Sequence, residues 1–265
     1  MLNSFSWNGT SSNFFETEDC RVIISKCPTI GRPARKYDRY DVPGRNGTII
    51  VPQDAYDNYT QSYEIFLYTS DKGRMLNALS EKVSDWLYSA DGKYAELVDD
   101  HEDGYFRLAY FVGPFNVENL LTMFGRATIT FSCRPERFLF AGNEAVTPTL
   151  SSGWASIVNP TNTIARPKLS IDVSDYSRVK IEQLYGDITS SWVYVKQTGA
   201  TELVIDSESH SWKTSVPYAG KSVTGTGFPL LATGETFIKV SEVNSSNADT
   251  GNYPTWSYIP RWWAL

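Results

Sequence analysis

The segment Ala127-Thr128-Ile129-Thr130-Phe131-Ser132-Cys133 decides the fold class, because its apolar and hydroxyl side chains alternate strictly. A period of two puts the apolar side chains on one face of an extended chain and the hydroxyls on the other, as in a half-buried antiparallel strand. Shorter runs of this kind recur at Arg21–Ser25, Thr48–Val51, Ser62–Tyr68, Tyr105–Val112, Pro167–Val173, Trp192–Gln197 and Thr201–Ile205. Turn-forming residues separate them at short intervals, so the sequence predicts a mainly β protein made of antiparallel β-sandwiches.

The segment from Asp71 to Ala90 follows a helical pattern instead. Its apolar residues recur every three or four positions, at Met75, Leu76, Leu79, Val83, Trp86 and Leu87. This spacing predicts one amphipathic helix whose stripe covers an open face of the first sheet. Asp71 is the expected N-cap, and Asp91-Gly92 is the expected C-terminal stop.

Two domains are expected from the length and the turn content. The chain has 265 residues, more than one compact core usually holds. The alternation stops at Arg134–Arg137, and 142–153 is rich in turn formers, so we place the boundary near 137–142. The predicted domains are 1–139, a β-sandwich with the helix, and 140–265, a second all-β sandwich holding six of the eight tryptophans.

Composition narrows the classes of function. The formal net charge of −6 argues against a sequence-independent grip on nucleic acid, which needs clustered Lys and Arg. Residues 1–20 lack the basic and apolar regions of a secretion signal, and no uncharged apolar run approaches the roughly 18 residues of a membrane span. Cys20, Cys27 and Cys133 are an odd set without metal-type spacing, so we expect free thiols in a protein made in a reducing cytoplasm.

No catalytic set, cofactor motif or metal motif stands out. The only histidines are His101 and His210, and neither a nucleophile elbow nor a phosphate-binding glycine loop is present. The acidic run Asp99–Gly104 resembles the start of a calcium loop, but Tyr110 occupies the position where a bidentate Glu is needed. We therefore expect a solvated hairpin tip there. The sequence predicts no enzyme, no cofactor and no metal.

Several strings, taken in order, resemble the siphovirus distal tail protein (Dit) family of phage tail components. The first is Ile30–Thr48, with the turn Pro43-Gly44-Arg45-Asn46-Gly47 that would hold Arg45 out on a corner. The others are Phe124–Pro135, Asn159–Asn162 with Arg166–Ile171, Val204–Glu208, Gly227–Leu231, Gly234–Thr236 and the terminal Ile259–Leu265. The family commonly ends in Pro-Arg-Trp-Arg-Glu-Leu, whereas Trp263 and Ala264 stand here in place of the charged pair.

The resemblance implies a structural protein of the virion, assembled in the cytoplasm of the bacterial host and encoded by a phage or prophage. The first domain would form a homo-hexameric ring at the tail tip, next to the tail tube protein and the tail hub. The second, galectin-like, would carry receptor-binding or baseplate proteins for host adsorption. We expect the basic residues Arg32, Arg35, Lys36, Arg39 and Arg45 to bind neighbouring subunits or the tube. The alternative is a solvated edge strand kept from aggregating by its charge.

Two other functions stay open. The aromatic residues of the second half are typical of a core or an interface, but they also suit a carbohydrate-binding module for host cell-wall polysaccharide. The His-x-Asn-x-Arg strand with which a galectin binds sugar is absent. A glycoside hydrolase is less favoured, because catalytic signatures are missing. The paired carboxylates of such an enzyme come from different strands and cannot be recognised from spacing alone.

Overall fold

A computed structural model describes residues 4–15, 20–70, 74–121, 123–216 and 222–265, with the backbone alone for Phe14, Arg74 and Met75. The chain divides into a first unit, Met1–Arg137 with Leu265, and a second unit, Phe138–Ala264. The strands up to the division are β1 (Phe5–Trp7), β2 (Thr10–Ser11), β3 (Cys20–Ile24), β4 (Arg35–Asp41), β5 (Thr48–Tyr56), β6 (Tyr59–Thr69), β7 (Ala95–Asp99), β8 (Tyr105–Phe111), β9 (Val117–Leu121) and β10 (Phe124–Leu139). The predicted mainly β fold class, with antiparallel sandwich domains, is confirmed.

The main sheet of the first unit has the order β2-β1-β7-β8-β10-β6-β3, with β9 also paired to β10. Along β10 and β6 the buried and exposed residues alternate, so that Ile129 and Phe131 enter the core while Arg126 and Thr128 face out. The alternation predicted for Ala127–Cys133 is therefore confirmed. The strand nevertheless continues to Leu139, beyond the predicted stop at Arg134–Arg137.

The single α-helix of the described residues, α1 (Arg74–Tyr88), covers the core of the first unit. The predicted stripe is confirmed where side chains are described: Leu76, Leu79, Val83, Trp86 and Leu87 are all buried. The helix ends as expected before Asp91-Gly92, both of which take positive φ. The expected N-cap, Asp71, and the side chain of Met75 lie outside the described residues.

Two tryptophans fasten the helix to the sheet. The indole of Trp86 donates to the carbonyl of Trp7, and the indole of Trp7 donates to the carbonyl of Leu87, both at 3.2 Å. The core behind them is rich in aromatic rings, with Phe131 centred 4.8 Å from Trp7 and 5.9 Å from Phe5. Buried indole N–H groups need partners, and each of these two finds a backbone carbonyl on the other element.

The second unit is an antiparallel two-sheet structure without an α-helix among its described residues. Its strands are β11 (Leu150–Ser151), β12 (Trp154–Asn159), β13 (Lys168–Asp172), β14 (Arg178–Tyr185), β15 (Ile188–Val195), β16 (Glu202–Asp206), β17 (Ser211–Thr214), β18 (Val223–Thr224), β19 (Gly234–Glu242), β20 (Trp256–Ile259) and β21 (Trp263–Ala264). One sheet has the order β11-β12-β19-β14-β15-β18 and the other β17-β16-β13-β20. A short 3-10 turn lies at Phe140–Gly142 in this unit, and another lies at Ser12–Phe15 in the first unit. No helix among the described residues is long and apolar enough to cross a membrane.

Candidate functional site

A two-stranded ribbon of the first unit forms a sheet of its own, in which β4 pairs with β5. The chain reverses between them at Pro43–Gly47, where the amide of Arg45 donates to the carbonyl of Val42 at 3.1 Å. Pro43 followed by Gly44 with φ +79° suits a tight turn that needs positive φ at its third residue. The predicted corner is therefore confirmed. We call β4, this turn and β5 the arm.

The arm exposes apolar side chains on both of its faces. Directly opposed residues share a face, so the register places Tyr37 with Ile50 on one side and Tyr40 with Val51 on the other. These four side chains are 49%, 58%, 56% and 45% exposed, in that order. A two-stranded ribbon alone is at best marginally stable in water, and clustered apolar exposure marks interaction surfaces. The arm is therefore a candidate contact surface.

The five basic residues predicted for an interface occupy the arm and the segment that leads into it. Arg35 pairs with Asp54 at 3.0 Å, and Lys36 pairs with Asp57 at 3.4 Å. Arg39 and Arg45 have no ion-pair partner among the described residues. These two are the basic side chains of the arm that remain available to bind a partner molecule. Whether the basic residues form an interface stays a prediction.

Arg32, the fifth basic residue, is committed to an internal cluster at the root of the arm. Its guanidinium donates to Glu102 Oε1 at 3.0 Å. The same carboxylate accepts from Arg137 at 3.1 Å and from the buried Arg107, whose side chain is 2% exposed. Arg107 also lies 3.9 Å from Asp99. One carboxylate thus joins the arm root to the core of the first unit.

The acidic run Asp99–Gly104 forms the expected hairpin tip between β7 and β8, but two of its carboxylates are not solvated. Asp99 is 3% exposed and accepts a 2.8 Å hydrogen bond from the hydroxyl of Tyr63. The Glu102 side chain is only 10% exposed. Asp100, His101, Asp103 and Gly104 are the exposed part of the loop. The prediction missed the burial of Asp99 and Glu102 because the counter-charges, on Arg32, Arg107 and Arg137, are distant in sequence and become neighbours only on folding.

Burial holds the groups beside Arg107 in their neutral forms. It raises the pKa of the Tyr59 hydroxyl and of the Cys133 thiol to about 12 each. The pKa of Tyr63 is raised too, by burial and then by the nearby negative charge of Asp99. A neutral, buried Cys133 thiol is a weak nucleophile. The groups around Arg107 therefore stabilise the fold of the first unit.

The two histidines have imidazole rings at the surface, although the backbone amide of His101 donates to Asp99 at 3.0 Å. His101 and His210 are both exposed, and the His210 ring is centred 5.2 Å from that of Phe228. Within the described ranges, no group of three or more His, Cys, Asp or Glu side chains could hold a metal ion. These observations give no residue a catalytic role.

Two of the motifs in the second half meet in the structure. Arg261 of the terminal string donates to both carboxylate oxygens of Asp206, at 2.7 and 3.2 Å. This bidentate pair lowers the pKa of Asp206 to about 2. Asn159 donates to the carbonyls of Thr163 and Leu231, at 2.8 and 3.1 Å. These motif residues stabilise the fold of the second unit.

The second unit also carries a cleft of about 670 Å³. Its aromatic lining consists of Trp154, Phe237 and Tyr258, and its rim carries hydroxyl and apolar groups from the segment 146–151. Lys239 lies over the Trp154 ring, with its Nζ atom 5.9 Å from the ring centre. Aromatic walls with a few polar groups are typical of small-ligand sites.

Sequence reasoning identified the turn of the arm and its charges but missed its apolar residues. Tyr37, Tyr40, Ile50 and Val51 carry the exposed area, and the run Thr48–Val51 was interpreted as a half-buried strand. Two turn signals within five residues of that run could have indicated an isolated hairpin.

Comparison with known proteins gives a match in structure and none in sequence. No family model matches the chain, and no curated protein matches it. The fold is similar to the crystal structure of the SPP1 Dit (gp 19.1) protein, described as a paradigm of the hub adsorption apparatus in phages that infect Gram-positive bacteria. The TM-score is 0.69 at 10% sequence identity, and the match covers 97% of this chain and 98% of that one. Both units of this chain therefore share their fold with that protein.

Proposed function

We propose that this protein is a structural component of the distal tail of a long-tailed bacteriophage, whose copies form a hexameric ring through the arm. The observation that carries the proposal is the arm itself, a separate ribbon with apolar side chains exposed on both faces and with Arg39 and Arg45 unpaired within the described chain. The likeness to SPP1 Dit over nearly the whole of both chains supports the tail context.

In this proposal the two units have different partners. The first unit forms the ring and meets the tail tube protein and the tail hub. The second unit carries the receptor-binding or baseplate proteins that adsorb to the host. The protein acts by offering surfaces and needs no cofactor, and it is part of the virion after assembly in the host cytoplasm. A phage or a prophage would encode it.

The ring is tested by measuring the mass of the purified full chain over a range of concentrations, with electron microscopy of the particles. We expect closed rings of six copies. The double variant Tyr40→Thr, Ile50→Thr changes one exposed residue on each face of the arm. Each lost contact removes roughly 1.5 kcal/mol, so the dissociation constant should rise about a hundredfold.

A matched control is the double variant Val158→Thr, Ile188→Thr in the second unit. Both residues are at least as exposed as those of the arm, at 64% and 68%. This control should assemble like the wild type. Wild-type protein that stays monomeric at every concentration would contradict the proposal, and so would an arm variant that forms rings as well as the control does.

A second candidate function, binding of neutral saccharide, is favoured by the cleft of the second unit. Its lining combines the Trp154 and Phe237 rings with hydroxyl groups, and sugars offer matching apolar faces and hydroxyls. We expect the full chain to bind neutral glycans on an array, and Trp154→Ala to weaken that binding about tenfold. Tyr185→Ala, outside the cleft, is the control. An array without any bound glycan would rule this function out.

A further inference from the structure

Asparagine followed by glycine occurs twice in the chain, at Asn8-Gly9 and at Asn46-Gly47. The pair is chemically labile, because glycine lacks the side chain that would hinder attack of its own amide nitrogen on the asparagine side chain. Both asparagines are exposed, and both glycines have positive φ, +79° and +81°. The two sites therefore differ mainly in the hydrogen bonds that hold them, and one can serve as a reference for the other.

Asn8 is held by the surrounding structure. Its pair forms the whole turn between β1 and β2, since Trp7 lies directly opposite Thr10. The φ of 50° at Asn8 suits the type I′ turn that two-residue hairpin loops prefer. The backbone amide of Asn8 donates to the carbonyl of Glu96 at 2.9 Å, and its side-chain amide donates to the hydroxyl of Ser89 at 3.1 Å. Both the backbone and the side chain of this asparagine are therefore constrained.

Asn46 lies in the second half of the turn of the arm, which is held much more loosely. The hydrogen bond that closes the turn, from Arg45 to Val42, ends before Asn46 is reached. Within the described ranges, neither the Asn46 side chain nor the Gly47 amide forms a hydrogen bond. A Cβ atom on Gly47 would meet nothing within 4 Å, so the space around this peptide is open. The side chain and the following amide are therefore free to approach each other.

We propose that Asn46 is a site of spontaneous deamidation and that Asn8 is protected from it. The amide nitrogen of Gly47 loses its proton to water and attacks the Cγ atom of Asn46. A C–N bond forms, the side-chain amide takes up a proton and leaves as ammonia, and a cyclic imide remains. Water then opens the imide at one carbonyl or the other, which gives aspartate or isoaspartate. Water is the only co-reactant, so the freedom of the turn sets the rate.

This modification changes the surface of the arm. It places a carboxylate next to Arg45, one of the two basic side chains of the arm that remain available. Opposite charges on neighbouring residues offset each other, so a partner that binds through Arg45 meets a less basic surface. The isoaspartate product also adds a methylene group to the backbone of the turn. The inference concerns a single chain and does not depend on the proposed ring.

The test incubates the full chain in mildly alkaline buffer and maps its peptides by mass spectrometry over time. Each hydrogen bond that must break slows the reaction about fivefold, so Asn46 should convert at least about tenfold faster than Asn8. Both aspartate and isoaspartate should appear at Asn46, because direct hydrolysis gives aspartate alone. Ser89→Ala should speed the conversion of Asn8 about fivefold and leave that of Asn46 unchanged. The arm variant Tyr40→Thr, Ile50→Thr is followed in parallel, since it keeps the turn but weakens the proposed ring.

Each result has a definite meaning. Conversion of Asn46 ahead of Asn8, with isoaspartate among the products, supports the inference. Conversion in the arm variant but not in the wild type supports it too, because assembly then covers the turn. Equal rates at the two sites, or faster conversion of Asn8, overturn it. So does an Asn46 that gives aspartate alone, or that stays unchanged in both proteins. None of these overturning results contradicts the proposed function, whose test is the mass of the assembled particles.

Discussion

Replacement of Arg107 by methionine is expected to lower the free energy of unfolding of the first unit by about 3–5 kcal/mol. The Arg107 side chain is 2% exposed, and it contacts the carboxylates of Glu102 and Asp99. Methionine fills similar space but leaves those acidic groups without their central counter-charge. A buried charge without a partner is among the most destabilising defects in a protein core.

The matched control for this prediction is Arg126→Met. Arg126 pairs with Glu64 at 2.8 Å, but both side chains are well exposed, at 49% and 38%. An exposed ion pair contributes about 1 kcal/mol or less. Hydrogen exchange of the β8 and β10 amides in increasing denaturant measures the free energy of unfolding of the first unit alone. Similar losses in the two variants would show that the Arg107 cluster has no special role in stability.

Replacement of Phe131 by alanine should also reduce the stability of the first unit by about 3–5 kcal/mol. Phe131 is fully buried, and its ring packs among Phe5, Trp7, Tyr63 and Phe111. Truncation leaves a cavity that these large rigid rings cannot easily fill. Chemical denaturation followed by hydrogen exchange measures the loss.

The same strand supplies the control for Phe131. Phe124 lies on the opposite face of β10 and is 39% exposed. In the monomer, Phe124→Ala should cost less than about 1 kcal/mol, because the residue is already partly exposed and its ring packs against Tyr68 on the outer face. If both truncations destabilised the unit equally, the assignment of inner and outer faces would be wrong.

The elements with alternating side chains could be predicted from the sequence, and those held by backbone pairing alone could not. Ala127–Cys133 alternates because one face of β10 is buried. Beyond Cys133 the strand continues through Arg134–Leu139, whose side chains no longer alternate between core and solvent. Strand β4, Arg35–Asp41, has no buried face at all, so no hydrophobic period marked it.

The candidate site also has one part that could be predicted from the sequence and another that could not. The turn at Pro43–Gly47 could be predicted because Pro and Gly restrict the backbone locally. The pairing of Arg32 with Glu102 could not, since 70 residues separate them in the chain. The same holds for the apolar residues Ile23, Tyr68 and Leu121, which only the register of the sheet brings onto one face.

The separate β-ribbon of the arm has a consequence for the kinetics and cooperativity of the proposed ring. In an open chain of copies, each addition makes one contact through an arm and leaves one arm at the end of the chain unused. Closure makes a further contact between molecules that are already tethered, so it avoids a second loss of translational entropy. Partial assemblies should therefore be short-lived, and complete rings should appear above a threshold concentration.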